Sequence, residues 1–149
     1  MRPAGVRGVR LAARRVRLAV WECVAPRATI RLVSRRILIV DDHAGFRASA
    51  RRMLEAGGFE VAGEAADVDS ARRAVTELSP DAVLLDVQLP DGDGIALAAE
   101  LTANGGSPEI VLCSSRGADE LGPGLGQSGA RGFVTKDELS PAAIRELLG

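Results

Sequence analysis

From Arg36 onward, short runs of aliphatic and β-branched residues alternate with longer stretches whose apolar positions recur at helical spacing. The runs predict strands over 36–40, 59–62, 82–85, 109–113 and 132–134. Between them the spacing predicts a helix over 46–56 closed by Gly57-Gly58, and a second with Asp69 or Ser70 as its N-cap and Pro80 just past its end. A third is predicted over 95–103, ending in Asn104-Gly105-Gly106, and Ser140-Pro141 reads as N-cap and first-turn proline of a last short helix. Residues 87–94, rich in Pro, Asp and Gly, read as a loop, with 91–94 a solvated turn. The segment 117–131 must return the chain to the next strand, but its many glycines predict only a short or irregular helix.

Strands that are apolar throughout belong in a parallel sheet covered on both faces. Right-handed crossovers make such a sheet doubly wound, with ligands expected at the carboxyl edge of its strands. The expected fold is therefore α/β, a doubly wound five-stranded parallel sheet. Aromatic residues are scarce, with one Trp, three Phe and no Tyr, so the core must be aliphatic. Two cysteines, Cys23 and Cys113, are too few for a disulfide framework and fit reduced thiols in a cytoplasmic protein. No run reaches the roughly 18 apolar residues of a membrane helix.

The net charge of −1 conceals two unlike pieces. Residues 1–35 carry nine arginines against Glu22 alone, a formal +8; residues 36–149 carry nine arginines, Lys136 and nineteen acids, a formal −9. The expected organisation is a basic, Arg-rich extension over 1–34, disordered or partly helical (9–20 could form a basic amphipathic helix), followed by a domain over 35–149. An acidic globule is not a typical nucleic-acid-binding domain. The extension resembles a targeting leader in its arginines, yet Glu22 interrupts its best apolar window and no cleavage site follows, which argues against secretion or import.

Four apolar runs end in polar groups: Asp41-Asp42 after the first, Asp86 after the third, Ser114-Ser115 after the fourth, and Lys136, the only lysine of the chain, after the fifth. In a parallel sheet these ends share one edge. Three carboxylates, a hydroxyl and an ammonium would then meet, an inventory able to hold a divalent metal and a phosphoryl group. Taken alone, Asp41 and Asp42 could equally be helix caps. Asp86 is different, because a carboxylate after four apolar residues is half buried and needs a cation. Lys136 and a metal are the candidates. Asp91-Gly92-Asp93-Gly94 superficially suggests a calcium loop, but no downstream acid completes it.

The segments "ILIVDDH" (37–43), "AVLLDVQLPDGDG" (82–94), "IVLCSS" (110–115) and "ARGFVTK" (130–136) resemble, in order and spacing, the receiver domains of two-component response regulators. The resemblance spans about residues 36–149 and implies a flavodoxin-like (receiver-like) sheet. It implies that Asp86 is the phosphoacceptor, becoming a 4-aspartylphosphate, and that Asp42 binds Mg²⁺ directly with Asp41 acting mostly through water. It further implies that Gln88 offers its carbonyl to the metal, that Lys136 pairs with Asp86 and then with a phosphoryl oxygen, and that Ser114 and Phe133 form the switch pair. The implied partners are a sensor histidine kinase or phosphotransfer protein and a downstream protein; a phosphorylation-dependent dimer stays open. The chain departs from the family at Asp137, where proline is common. Only thirteen residues follow Lys136, which leaves no room for a DNA-binding output domain.

The expectation is thus a stand-alone phosphoacceptor switch rather than a conventional enzyme. The first alternative is a phosphate-independent, receiver-like interaction module. The second is a haloacid-dehalogenase-type hydrolase, against which the adjacent Asp41-Asp42 count, since such enzymes place the two acids two residues apart. His43, the only histidine, reads as a helix-start residue rather than a phosphodonor. The basic extension is either a dispensable arm or a segment binding nucleic acid or anionic lipid.

Overall fold

The computed structural model describes residues 34–149 apart from Asn104 and Gly106. The expected extension, its amphipathic helix over 9–20 and Cys23 lie outside the described residues. Five strands, β1 (Arg36–Val40), β2 (Glu60–Ala65), β3 (Ala82–Asp86), β4 (Glu109–Ser114) and β5 (Gly132–Thr135), form one sheet in the order β2-β1-β3-β4-β5. Every pairing in it is parallel. The helices α1 (Ala44–Ala56), α2 (Val68–Leu78), α3 (Gly94–Thr102), α4 (Ala118–Leu121) and α5 (Pro141–Leu148) make the crossovers. The doubly wound five-stranded sheet is therefore as the alternation requires.

Strand residues alternate between two core layers, as a period of two demands. Leu38, Val40, Val83, Leu85, Ile110 and Leu112 pack with Ala71 of α2 and with Leu97 and Ala98 of α3. Ile37, Ile39, Leu84, Val111, Cys113 and Val134 pack on the other face with Ala50 and Leu54 of α1 and Ile144 and Leu148 of α5. Each fully buried aliphatic side chain contributes roughly 1.5–3 kcal/mol by leaving water. The core is aliphatic, with Phe59 its only buried aromatic among the described residues.

Three local expectations are corrected. The N-cap of α2 is Asp67, not Asp69 or Ser70: the Asp67 carboxylate accepts from Ser70 N at 2.8 Å, and Ser70 Oγ answers the Asp67 N–H at 3.3 Å. This reciprocal box starts the helix earlier than the apolar period suggests. Strand β2 continues through Gly63-Glu64 to Ala65, because its partner β1 supplies the ladder and Asp41 N donates to Ala65 O at 3.0 Å. Residues 87–94 are more ordered than the expected loop: Gln88–Leu89 pairs antiparallel with Gly92–Asp93. The Asp91 carboxylate then accepts from Val68 N (2.7 Å) and Asp69 N (3.2 Å), capping α2, while Asp93 accepts from Ile95 N at 2.9 Å and caps α3.

The glycine-rich return is irregular, as its composition predicts. The four-residue α4 is followed by Gly122 at φ +85° and a 3₁₀ segment over Pro123–Gln127. Ser140 caps α5 through Ala143 N at 3.1 Å, with Pro141 in the first turn. Among the described residues no helix is long and apolar enough to cross a membrane.

Candidate functional site

The parallel register carries the polar residues to one edge. β1 hands over to Asp41 and Asp42, β3 ends on Asp86, β4 on Ser114, and β5 on Thr135 just before Lys136. The apolar strand interiors pull these positions inward, so Asp41 is 1 % exposed, Asp86 6 % and Ser114 3 %. Asp42 and His43 are exposed at the mouth. One ligand atom from each of Asp41, Asp42, His43 and Asp86 lies within 4.8 Å of the others.

Backbone and side-chain contacts fix the acids. His43 N donates to Asp41 Oδ1 at 2.8 Å, and the His43 ring Nδ1 stands 3.2 Å from Asp41 Oδ1 and 3.1 Å from Asp42 Oδ1. Arg47 Nη1 donates to the Asp41 carbonyl at 2.5 Å, while its Nε holds Glu64 at 3.0 Å. On the far side, Gly94 lies so close to Asp86 that a Cβ there would sit 2.0 Å from the Asp86 carbonyl oxygen, so only glycine fits. Gly94 N in turn donates to Val87 O at 2.7 Å, pinning the start of α3 under the Asp86 loop.

Lys136 reaches into the acids. Its Nζ is 2.6 Å from Asp41 Oδ2 and 3.7 Å from Asp86 Oδ2, with the side chain only 19 % exposed. Asp41 Oδ2 is buried, and the Lys136 ammonium at 2.6 Å is its only close cation among the described residues. Burial works to lower the Lys136 pKa, but the Asp41 and Asp86 carboxylates outweigh it and raise the value. Burial first, then the Asp41 charge, pushes the Asp86 carboxyl up to about 6, against the Lys136 ammonium and the Gln88 N–H, which pull it down. One ammonium therefore serves two buried carboxylates, Asp42 stands beside them, and the edge carries surplus negative charge. Cys113, level with Asp86 on the neighbouring strand, is a buried thiol pushed up to about 12, mainly by desolvation.

The remaining expected residues fall as follows. Ser114 Oγ accepts from Arg116 N at 3.1 Å, and Ser115 is exposed. Phe133 is half-buried against the α2/α3 core layer, on the same sheet face as Ser114, which is level with Thr135. Gln88 sits in the hairpin beside Asp86 with its side chain exposed. Two features had no linear signal. The Phe46 ring lies 4.5 Å from Lys136 Nζ, and Thr135 Oγ1 is buried without a hydrogen-bond partner. The first joins residues ninety positions apart, and the second shows only once β4 and β5 are in register.

A parallel sheet whose carboxyl edge gathers acids, a hydroxyl and one ammonium is the arrangement of a receiver domain, and its acid cluster is consistent with a divalent metal site. The family model "Response regulator receiver domain" matches residues 37–148, and the chain belongs to that family. It is 36% identical over 104 residues to the chemotaxis protein CheY of Bacillus subtilis, covering 70% of this chain and 87% of the relative. To CheY of Thermotoga maritima it is 32% identical over 116 residues, covering 78% and 96%. A putative transcriptional regulator of Pseudomonas aeruginosa is 33% identical over 103 residues, and there the chain spans only half of the relative's length. Among solved structures, the receiver domain of the putative response regulator NarL from Mycobacterium tuberculosis superposes with a TM-score of 0.69 at 30% identity, covering 78% of this chain and 98% of that one.

Proposed function

We propose that residues 35–149 form a phosphoacceptor switch, in which Asp86 takes a phosphoryl group from a histidine kinase or phosphotransfer protein in the cytoplasm. The observation that carries this reading is the state of Asp86: a buried carboxylate held near Lys136, with its pKa pushed up to about 6 by burial and by Asp41. A purely structural acid would be paired one-to-one; this one shares its ammonium and is left reactive. A carboxylate oxygen of Asp86 forms the bond to phosphorus as the donor's N–P bond breaks, and the released imidazole takes a proton from solvent. Phosphoryl transfer needs placement and charge neutralisation more than covalent help. Lys136, a compact point charge able to leave Asp41, supplies part of that neutralisation to a phosphoryl oxygen.

The residues fit Mg²⁺. The donors are mostly carboxylate oxygens, the buried Asp41 Oδ2 has Lys136 as its only close cation among the described residues, and the mouth is open at Asp42, as a hard cation that keeps several waters requires. Asp41, Asp42 and Asp86, with the Gln88 carbonyl, would hold the ion. Bound there, it would supply the positive charge that lets three carboxylates and a phosphoryl group share one pocket. Ser114, level with Thr135 at the end of β4, is placed to follow the phosphoryl group, and Phe133 on the same face to respond. The readout is then a change of protein contacts. The test is label uptake from acetyl phosphate: Mg²⁺-dependent labelling lost in Asp86→Asn is expected. Labelling that persists in that variant, or none in the wild-type protein, favours the phosphate-independent module.

A further inference from the structure

The carboxyl edge contains one contact that neither the acids nor the hydroxyl explain. Of the three phenylalanines in the chain, one is placed against the only lysine: the Phe46 ring centroid lies 4.5 Å from Lys136 Nζ. The ring is half-buried on the first turns of α1 and packs with the α1/α5 core layer, so it is not a loose surface group. Its neighbour Arg47 is anchored at both ends, to Glu64 at 3.0 Å and to the Asp41 carbonyl at 2.5 Å, which fixes the start of α1 against the acid loop. The helix therefore presents a rigid aromatic face at the place where the ammonium must sit.

We propose that Phe46 is a positioning residue for Lys136, its ring holding the ammonium at the phosphoryl pocket through its π face. The role rests on the phosphoacceptor reading above. The physical argument is one of competing sites. Lys136 carries a four-carbon flexible stem and lies nearer Asp41 (2.6 Å) than Asp86 (3.7 Å). When a cation takes up the charge of Asp41, the ammonium loses its closest anion and would turn outward to water, since its stem permits many rotamers. A ring face keeps an attraction to the ammonium that does not depend on the charge of the carboxylates, because it comes from the quadrupole of the ring. Phe46 thus keeps Lys136 over the pocket at the moment its charge is needed by the transferring group. Leucine in place of Phe46 would fill much of the same space but offer no such face.

The single lysine makes the contact directly readable. In the full chain carrying ¹³Cε-labelled lysine, one Cε–Hε cross-peak is expected, shifted upfield by the ring current of Phe46. Phe46→Leu should return it to the ordinary lysine position, and Phe46→Tyr should keep it upfield. With acetyl phosphate as donor, Phe46→Leu should lower the maximal rate of labelling by about threefold to thirtyfold. The Mg²⁺ concentration at half-maximal rate should stay unchanged, and Phe46→Tyr should restore the rate. General loosening of the fold would instead move rate and Mg²⁺ dependence together and lower the thermal midpoint. An unshifted lysine peak in the wild-type protein, or a Phe46→Leu rate within twofold of wild type, overturns the proposal. Absence of labelling in every variant overturns the phosphoacceptor reading and with it this role, while an upfield peak would still establish the contact.

Discussion

At the amino edge of the sheet, the carboxylate is met by more than enough positive charge in partly wet surroundings. Arg35 reaches Glu109 at 2.5 Å, Arg131 reaches the same carboxylate at 3.2 Å, and Arg36 holds the last carbonyl of α2 at 2.7 Å. At the carboxyl edge, two almost fully buried acids share one ammonium, with the exposed Asp42 beside them. The first arrangement satisfies its groups and asks for nothing further. The second leaves surplus negative charge and an aspartate pushed up to about 6, at a cost the apolar core must carry. The two edges of one sheet thus differ in kind: uncompensated charge concentrates at the carboxyl edge, as is common at sites that handle charge.

That contrast can be broken most sharply at the two ends of β5. Lys136→Ala should reduce phosphate labelling by two orders of magnitude or more (about 3 kcal/mol of lost charge stabilisation). Arg131→Ala, at the amino end, should leave labelling within about twofold. Equal losses in both would mean that the carboxyl edge is not special.

The next effect concerns stability without metal. The folded-state value of Asp86 is raised from 3.8 to about 6, so the folded protein binds the proton more readily than the unfolded chain. Its contribution to stability is therefore full at low pH and is lost as pH rises from about 4 to about 6, up to roughly 3 kcal/mol. In chelator, Asp86→Asn should stabilise the fold at pH 8 by about 1–3 kcal/mol and remove that slope from the urea midpoints. A less stable Asn variant at pH 8 would mean that the aspartate is well paired after all.

Mg²⁺ should act in the same direction. At about one hundred times its dissociation constant it would add roughly 2.7 kcal/mol to the wild-type unfolding free energy. Asp42→Asn should lose most of that gain, whereas Glu109→Ala should keep it. Smallest of all, Glu109→Ala in chelator should cost only about 0–1 kcal/mol, since partly solvated ion pairs near the surface contribute little. A loss of several kcal/mol would show the amino edge to be more than a surface pairing.

Much of this was legible in the chain because apolar runs ending in Asp41-Asp42, Asp86, Ser114 and Lys136 announce both strands and edge. Periodicity finds what the core demands. It did not find what the loops trade among themselves. Asp67 rather than Asp69 caps α2 because a side chain–backbone exchange, not hydrophobic spacing, starts that helix. Asp91 reads in sequence as part of a solvated turn, yet it caps a helix twenty-odd residues earlier in the chain, a pairing that only the crossover geometry creates. Phe46 reads in sequence only as the start of a helix, and its contact with Lys136 requires α1 and the end of β5 to be adjacent. Short-range hydrogen bonds and long-range ring contacts leave no period to detect.

The most direct test of the central claim is to locate the phosphoryl group itself. The protein would be phosphorylated with acetyl phosphate and Mg²⁺, reduced with borohydride to convert any acyl phosphate to an alcohol, then digested and sequenced by mass spectrometry. Homoserine at position 86, and nowhere else, is the predicted result. Modification at Asp41 or Asp42, or an unmodified peptide containing residues 82–94, would contradict it.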